Sequence, residues 1–379
     1  MPKKLFITII LLDVIIGGLA LAYIFSALWN KPLGPSMGLS TRVSELTKSL
    51  SGASVSDQQD TASLPESSPN RSSLFSRITS LFNQPDGTSE PLCGGPPVMT
   101  ILVVGSDERQ NDYLYGLADS IRIVRIDFTI PKVMVLDVPR DLWVDIPDIA
   151  DHYGIKQGKI NQAYFFGNPG MGYYDGPGAG PGLLARTLDL NYGLKVEHYL
   201  AVDRTTFVDI INSIGGIDIQ ISSTIDLNQN QDGANSELVM GPGVHHLDGD
   251  QALNLAVNRN PSIFQRARFQ NIVLSALQGK LFSLAMITEL PKLVGQFAGS
   301  VRTDLSPNDI NQLVCIGKAL TPDNTEMVAF PDEMFTSGST YDPYRQVNTF
   351  TLSMDVDLFR EYIVDFMNGT WPTDQGSSN

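Results

Sequence analysis

Hydrophobic and polar positions divide the chain into three regimes. From Leu5 to Trp29 the residues are apolar almost throughout, with Asp13 the one charge. A run of about 25 such residues is long enough to cross a bilayer, for which roughly 20 suffice. From residue 31 to residue 95 the apolar rhythm stops, and Ser, Pro, Gly, Thr and Gln dominate, as in SGASVSDQQDTASLPESSPNRSS. Such a stretch buries too little apolar surface to offset the entropy of ordering it, so it reads as a flexible linker. Beyond it, short apolar runs alternate with helical spacings.

Val98 to Val104 (VMTILVV) is continuously apolar and ends at Gly105, the pattern of a strand buried on both faces. Ile121 to Asp127 and Val133 to Pro139 read as two more strands, and the gap between them is short enough for a hairpin. Helical spacing recurs at Leu183 to Leu190, at Thr205 to Ile214 with Gly215-Gly216 as its stop, at Gly249 to Val257 and at Arg268 to Leu284. His198 to Val202 and Ile217 to Ile221 read as strands, and Ser306 caps a helix opened by Pro307. Strands alternating with helices predict an α/β core with mixed strand directions. The predicted organisation is a cytoplasmic stub and transmembrane helix over 1–30, the linker over 31–95, a folded extracytoplasmic domain over 96–320, and a C-terminal extension over 321–379 with a disordered end.

Composition narrows the function. The 379 residues include 26 Lys and Arg against 41 Asp and Glu, a formal net charge of −15. That balance excludes a general nucleic-acid binder, which needs excess positive charge for phosphates. One spanning segment excludes a polytopic membrane protein. Two cysteines and four histidines leave no Cys-rich zinc site and little for a His-based metal centre. Lys3 and Lys4 before the apolar run put the N-terminus in the cytoplasm and the rest of the chain outside. A cleaved signal peptide, with Ala20-Leu21-Ala22 imitating a cleavage site, is the rival reading, but the apolar run is long for one. Outside the cell, Cys93 and Cys315 either pair or remain two free thiols.

Candidate chemistry gathers at strand ends, where ligands of α/β sheets tend to bind. Gly105-Ser106-Asp107-Glu108-Arg109 follows the first strand, Asp119 precedes the second, and Pro139-Arg140-Asp141 closes the third. Asp107 and Asp119 together suit one hard divalent cation, Mg²⁺ or Mn²⁺, which takes oxygen ligands. Arg109 and Arg140 suit phosphate oxygens, which the guanidinium fork matches in geometry. Taken singly, an Asp in a loop is more often a turn former, and an Arg-Asp pair more often a structural ion pair. Recurrence at three strand ends is what raises the signal. Lys159 adds a point charge or is an exposed loop lysine; Asn161 is a helix cap or a contact. Arg259, Arg266 and Arg268 cluster between two helices. Phe165-Phe166 and Tyr173-Tyr174, beside the Gly- and Pro-rich stretch from Gly167 to Gly182, either line a tunnel for a lipid tail or pack in the core.

Taken in order, the runs LVVGSDER, LADSIRIVRID, VMVLDVPRDLWVDIP, GKINQAY, HYLAVD, IINSIGGIDIQI and LDGDQALNLAVNR resemble the LytR-CpsA-Psr (LCP) family. The resemblance covers about residues 97–290 and continues more weakly from Val301 to Leu320. It implies a central mixed sheet flanked by helices that encloses a hydrophobic pocket for a polyprenyl chain. It also implies a phosphotransferase of the bacterial cytoplasmic membrane with its catalytic domain outside. Such an enzyme moves a glycopolymer phosphate, as in teichoic acid or capsule attachment, from a polyprenyl-pyrophosphate carrier to a peptidoglycan acceptor. By position, Asp107 and Asp119 resemble the family's magnesium-associated acids, and Arg109 and Arg140 its pyrophosphate-contacting arginines. Asp141 resembles the acid that follows and orients Arg140. Lys159 and Asn161 fall in a Lys-Ile-Asn element, Arg259 resembles the second arginine of an Arg-x-Arg pair, and Arg268 resembles the arginine ending the next basic element. Three positions depart from the family: Leu117 and Val257 stand where arginines are common, and Gln265 falls in a lost Asp-x-x-Arg element. Arg266 is a stand-in from a different helical angle. These departures keep a second expectation open, a divergent domain that binds lipid-linked glycans or hydrolyses the pyrophosphate without efficient transfer.

Overall fold

The structure, a computed structural model, describes residues 28–38, 90–108, 115–149, 154–227, 239–258, 263–281, 283, 286 and 289–371. Strands β1 (Val98–Ser106), β2 (Ala118–Asp127), β3 (Lys132–Asp137), β4 (Trp143–Asp145) and β5 (Gln157–Lys159) lead into helices α1 (Ile160–Gly167) and α2 (Ala179–Tyr192). Next come β6 (His198–Val202), α3 (Arg204–Ser213), β7 (Ile217–Ile221), β8 (Ile225–Asp226), β9 (Val239–Met240) and β10 (Gly243–Leu247). Helices α4 (Gly249–Val257), α5 (Ile263–Leu281) and α6 (Leu290–Gln296) precede β11 (Arg302–Thr303) and α7 (Pro307–Gly317). The chain closes with β12 (Thr325–Ala329), a hairpin of β13 (Thr336–Asp342) and β14 (Val347–Ser353), and α8 (Val356–Asn368).

The central sheet runs β11-β6-β1-β2-β3-β12 and is mixed, as expected. β1–β2 and β2–β3 are antiparallel, whereas β1–β6 and β3–β12 are parallel. β1 is apolar on both faces because both faces are covered. Leu102 and Val104 join the larger core with α1 and α2, while Met99 and Ile101 join a second core with Leu305 and Ile316. A third cluster packs α3, α4 and α5 against β7 and β10. The Gly- and Pro-rich stretch is partly helical, because its glycines let two helices touch. A Cβ on Gly180 of α2 would stand 2.8 Å from the Tyr164 carbonyl oxygen of α1.

Two boundaries differ from those predicted. The linker does not begin at residue 31, because residues 28–38 lie on the domain. Trp29 Nε1 donates to Asn308 Oδ1 at 3.1 Å, Leu33 N to Leu305 O at 3.1 Å, and Met37 is 1% exposed in the larger core. Gly34 passes so near β11 that a Cβ would stand 2.5 Å from the Thr303 carbonyl oxygen. The domain does not end at residue 320 either. β12 is an edge strand of the central sheet, and α8 buries Phe359, Ile363 and Phe366 in the larger core. Phe330 stacks on Phe359 with ring centroids 4.1 Å apart, which fastens α8 in place. The predicted transmembrane helix lies outside the described residues apart from Leu28 and Trp29, as does the predicted disordered end. Among the described residues no helix is long and apolar enough to cross a membrane.

Cys93 and Cys315 form a disulfide, with Cα atoms 5.8 Å apart across 222 residues of sequence. The bond ties the turn before β1 to α7. Replacing Cys315 by serine should lower stability by about 2–4 kcal/mol, the usual range for a native disulfide. The urea midpoint reads this, and reducing the wild type should reproduce the shift.

His198 Nδ1 lies 3.5 Å from Asp304 Oδ1. Burial opposes protonation of His198, but Asp304, with the charges of Asp309 and Glu197, outweighs it and raises the pKa above the ordinary 6.5. A raised folded-state value means that protonation stabilises the fold. The contribution is present in full below the ordinary value and is lost as pH rises through the higher folded value. The urea midpoint of the wild type should therefore fall over that range relative to His198→Gln.

Candidate functional site

β1 and β2 lose register where they meet the cleft. Gly105 pairs with Ser120 and Ser106 with Ala118, so Asp119 has no partner across the ladder. A bulge of this kind re-aims a side chain. Asp107 is fixed by the neighbouring turn, its N–H donating to Leu117 O at 3.0 Å and its Oδ1 accepting from Leu117 N at 2.7 Å. Both carboxylates line one cleft of about 470 Å³, together with Arg140, Asp141, Lys159 and Asn161.

The Asp119 carboxylate collects cations from three elements. Arg140, just after β3, pairs with its Oδ1, and Arg204, the first residue of α3, reaches Oδ2 at 3.1 Å. Arg266 on α5 approaches Oδ1 at 4.0 Å and donates through Nη2 to the Asp119 carbonyl at 3.2 Å. Asp141 does the same for two cations, with Arg140 Nε at 3.4 Å and Lys159 Nζ at 2.8 Å. The side chains of Arg140, Asp119, Asp141 and Lys159 are at most 14% exposed. In such surroundings a charge stripped of its partner is costly, about 3–5 kcal/mol.

Neighbouring contacts hold these groups. Asp203 caps α3 by accepting from Thr206 N at 2.7 Å, and Arg204 N donates to Glu108 O at 3.2 Å. Arg122, 1% exposed, clamps α5 to the sheet through Asn271 Oδ1 at 2.7 Å and Gln270 Oε1 at 3.1 Å, with Asp137 Oδ1 at 3.3 Å from its Nε. Burial lowers the Arg122 pKa and Asp137 opposes this. Gln270 lies one turn beyond Arg266, so the same clamp sets where Arg266 stands.

Of the predicted residues, the structure brings Asp107, Asp119, Arg140, Asp141, Lys159, Asn161 and Arg266 together. Asp141 is 5% exposed, lies between two cations and lines the same cleft. Arg268 is not part of the site: its Nη2 pairs with Asp332 Oδ2 at 2.7 Å and its side chain is 62% exposed. The predicted cluster between two helices fails because α5 starts at Ile263, which puts residues 266 and 268 on different helical faces. Arg109 and Arg259 lie outside the described residues. Phe166 is fully buried and Tyr173 and Tyr174 nearly so, whereas Phe165 lines the cleft. Arg204 went unnoticed in the sequence, although an Asp-Arg pair at the start of a helix after a strand was its signal. Leu117, where the resemblance leads one to expect arginine, lines the cleft, and Arg204 brings a guanidinium to the adjacent Asp119.

The donor chemistry suits a magnesium-type cation. Asn161 Oδ1 is buried with no hydrogen-bond partner among the described residues, and with Asp107 and Asp119 it offers an all-oxygen set. Mg²⁺ usually takes one or two carboxylates and completes its shell with water and substrate phosphates. Among the described residues no group of three acids, histidines or cysteines could hold a metal by itself. A cleft with several fixed cations beside paired carboxylates is built to bind a compact polyanion.

Residues 95–353 match the LytR_cpsA_psr family. The chain belongs to this family. It is 31% identical over 216 residues to the regulatory protein MsrR of Staphylococcus aureus strain COL, covering 56% of this chain and 58% of MsrR. It is 29% identical over 222 residues to the polyisoprenyl-teichoic acid–peptidoglycan teichoic acid transferase TagU of Oceanobacillus iheyensis, covering 57% and 62%. The chain thus spans less than two-thirds of the length of either relative. In fold it is similar to B. subtilis TagT solved with bound octaprenyl pyrophosphate lipid, with a TM-score of 0.50, 20% identity, and coverage of 75% of this chain and 97% of that one.

Arg204→Ala should weaken the binding of inorganic pyrophosphate roughly tenfold or more, the worth of one charge-assisted hydrogen bond. Arg268→Ala should leave it unchanged. Titration calorimetry on the two variants separates the cleft cations from the surface one.

Proposed function

We propose that this chain is a membrane-anchored extracytoplasmic phosphotransferase. It moves a glycopolymer phosphate from a polyprenyl-pyrophosphate carrier to a peptidoglycan hydroxyl. The observation that carries this reading is the gathering of Arg140, Arg204 and Lys159 about Asp119 and Asp141 in one cleft, with Arg266 reaching Asp119 from α5 outside its lining. Four such cations in a chain of net charge −15 suit a ligand rich in phosphate oxygens. TagU, named for teichoic acid transfer, and TagT, solved with octaprenyl pyrophosphate, support the same donor chemistry. The apolar run from Leu5 to Trp29 supports the anchor, and Phe165 on the cleft wall supports an apolar path for the lipid chain.

In the reaction the acceptor hydroxyl attacks the phosphorus that bears the glycan. The bond from that phosphorus to the bridging oxygen breaks, polyprenyl monophosphate leaves, and the acceptor's proton ends on the departing phosphate. No nucleotide is needed, because the pyrophosphate linkage supplies the driving force. Arg140 and Arg204 neutralise charge that grows on the transferring phosphoryl oxygens, and Lys159 does so for the leaving phosphate. Asp141 keeps Arg140 and Lys159 aimed before substrate arrives. A Mg²⁺ or Mn²⁺ ion held by Asp107 and Asp119 would supply Lewis-acid neutralisation of the phosphate oxygens.

The test uses the full chain, since residues 28–38 are part of the fold. Incubated with a radiolabelled polyprenyl-pyrophosphate-linked saccharide, Mg²⁺ and a peptidoglycan oligomer, it should move label to the oligomer. Arg140→Ala should lower kcat/KM by about 100-fold or more, the usual loss for one transition-state donor. Asp107→Ala should remove the dependence on Mg²⁺. Phosphate release with no label on the oligomer would make the protein a pyrophosphatase, the reading that Leu117 in the cleft favours.

A further inference from the structure

The hairpin of β13 and β14 supplies a wall of the cleft that the transfer chemistry leaves without a task. Its turn carries Asp342, Tyr344 and Arg345 into the lining. The turn is held firmly. Asp342 is 1% exposed, and its Oδ1 accepts from the backbone N–H groups of Tyr344 and Arg345 at 2.9 and 3.0 Å. Its Oδ2 accepts from Gln162 Nε2 at 2.8 Å, which joins the turn to α1, the helix that also carries Asn161. The Tyr344 ring packs edge-on against Phe165 and Phe166, with centroids 5.3 and 5.2 Å away.

Arg345 stands out on this wall. Arg140, Lys159, Arg204 and Arg266 each reach a cleft carboxylate within 4.0 Å. Arg345 is exposed, and its guanidinium has no ion pair or hydrogen bond among the described residues. Its nearest acid in sequence, Asp342, is already used by three donors. An arginine held on a rigid turn at the rim of an anion-binding cleft, with nothing among the described residues to pair with, is placed for a ligand's charge. The other cations gather about Asp119 and Asp141, and Arg345 stands apart from that pair on the hairpin wall, so the charge that it meets belongs to a group further along the ligand.

We propose that Arg345 binds an anionic group on the donor's glycan, a phosphate or carboxylate lying outside the pyrophosphate, so that the cleft selects an acidic glycopolymer over a neutral one. This rests on the phosphotransferase reading above. The test measures binding of the full chain to three short-prenyl donors: the bare prenyl pyrophosphate, one carrying a neutral disaccharide, and one carrying the same disaccharide with a glycerol phosphate attached. A glycerol-phosphate oligomer without lipid is the fourth ligand. The wild type should prefer the phosphorylated donor to the neutral one by about tenfold, as one charge-assisted contact allows. Arg345→Ala should lose that preference while binding the bare prenyl pyrophosphate within twofold of wild type, and Arg345→Lys should keep part of it. Equal affinity of the wild type for neutral and phosphorylated donors would overturn the assignment, as would a uniform loss across all three donors in Arg345→Ala. If no prenyl donor binds but the free oligomer does, and does so through Arg345, the subsite stands and the pyrophosphate reading falls.

Discussion

Asp119 sits where β2 slips past the end of β1, and its carboxylate is the acceptor shared by Arg140, Arg204 and Arg266. Three guanidiniums this close would repel one another strongly in a site shielded from water. Asp119 and Asp141 offset that repulsion and give each cation a direction. The arrangement has a consequence for binding. A phosphate entering the cleft meets cations already half-neutralised, so it gains less than it would from bare charges. What it gains instead is fixed geometry, since the cations are already held in place before it arrives. The bulge that frees Asp119 from the ladder is therefore the local feature on which the cleft depends.

Parts of this were legible in the chain and parts were not. β6, β7 and α4 occupy the predicted spans, because each has a clear apolar period. Asp107, Asp119 and Arg140 were legible because each flanks a strand that reads unambiguously as buried. Arg204 was not, since an arginine opening an amphipathic helix looks the same whether it faces solvent or a carboxylate. Arg266 and Arg268 could be told apart only once the start of α5 was fixed at Ile263, because two positions along a helix turn a side chain through most of a half-circle. The hairpin gave no apolar alternation: β13 reads TSGSTYD, and most of its side chains are exposed. Its contribution lies in a turn held by one buried carboxylate, which no period reveals.

The ends of the described chain are built into the domain by different means. α8 is held by an aromatic cluster of Phe330, Phe359 and Trp371, which is ordinary core packing. Residues 28–38 are held through single anchors, Trp29 on α7, Leu33 on the turn before it and Met37 in the larger core. These anchors change the geometry expected of the whole. A tether starting at residue 31 would leave the cleft free to roam tens of ångströms from an anchored segment. With residues 28–38 docked, the described chain meets the domain at two fixed places, here and near the Cys93–Cys315 bond. If Leu5 to Trp29 is the anchor proposed above, the height and tilt of the cleft over the bilayer follow from eleven docked residues, 28–38, and not from linker length. An enzyme whose donor phosphates lie at the bilayer surface would gain from that fixed approach, since the ligand then needs to be met in one orientation only.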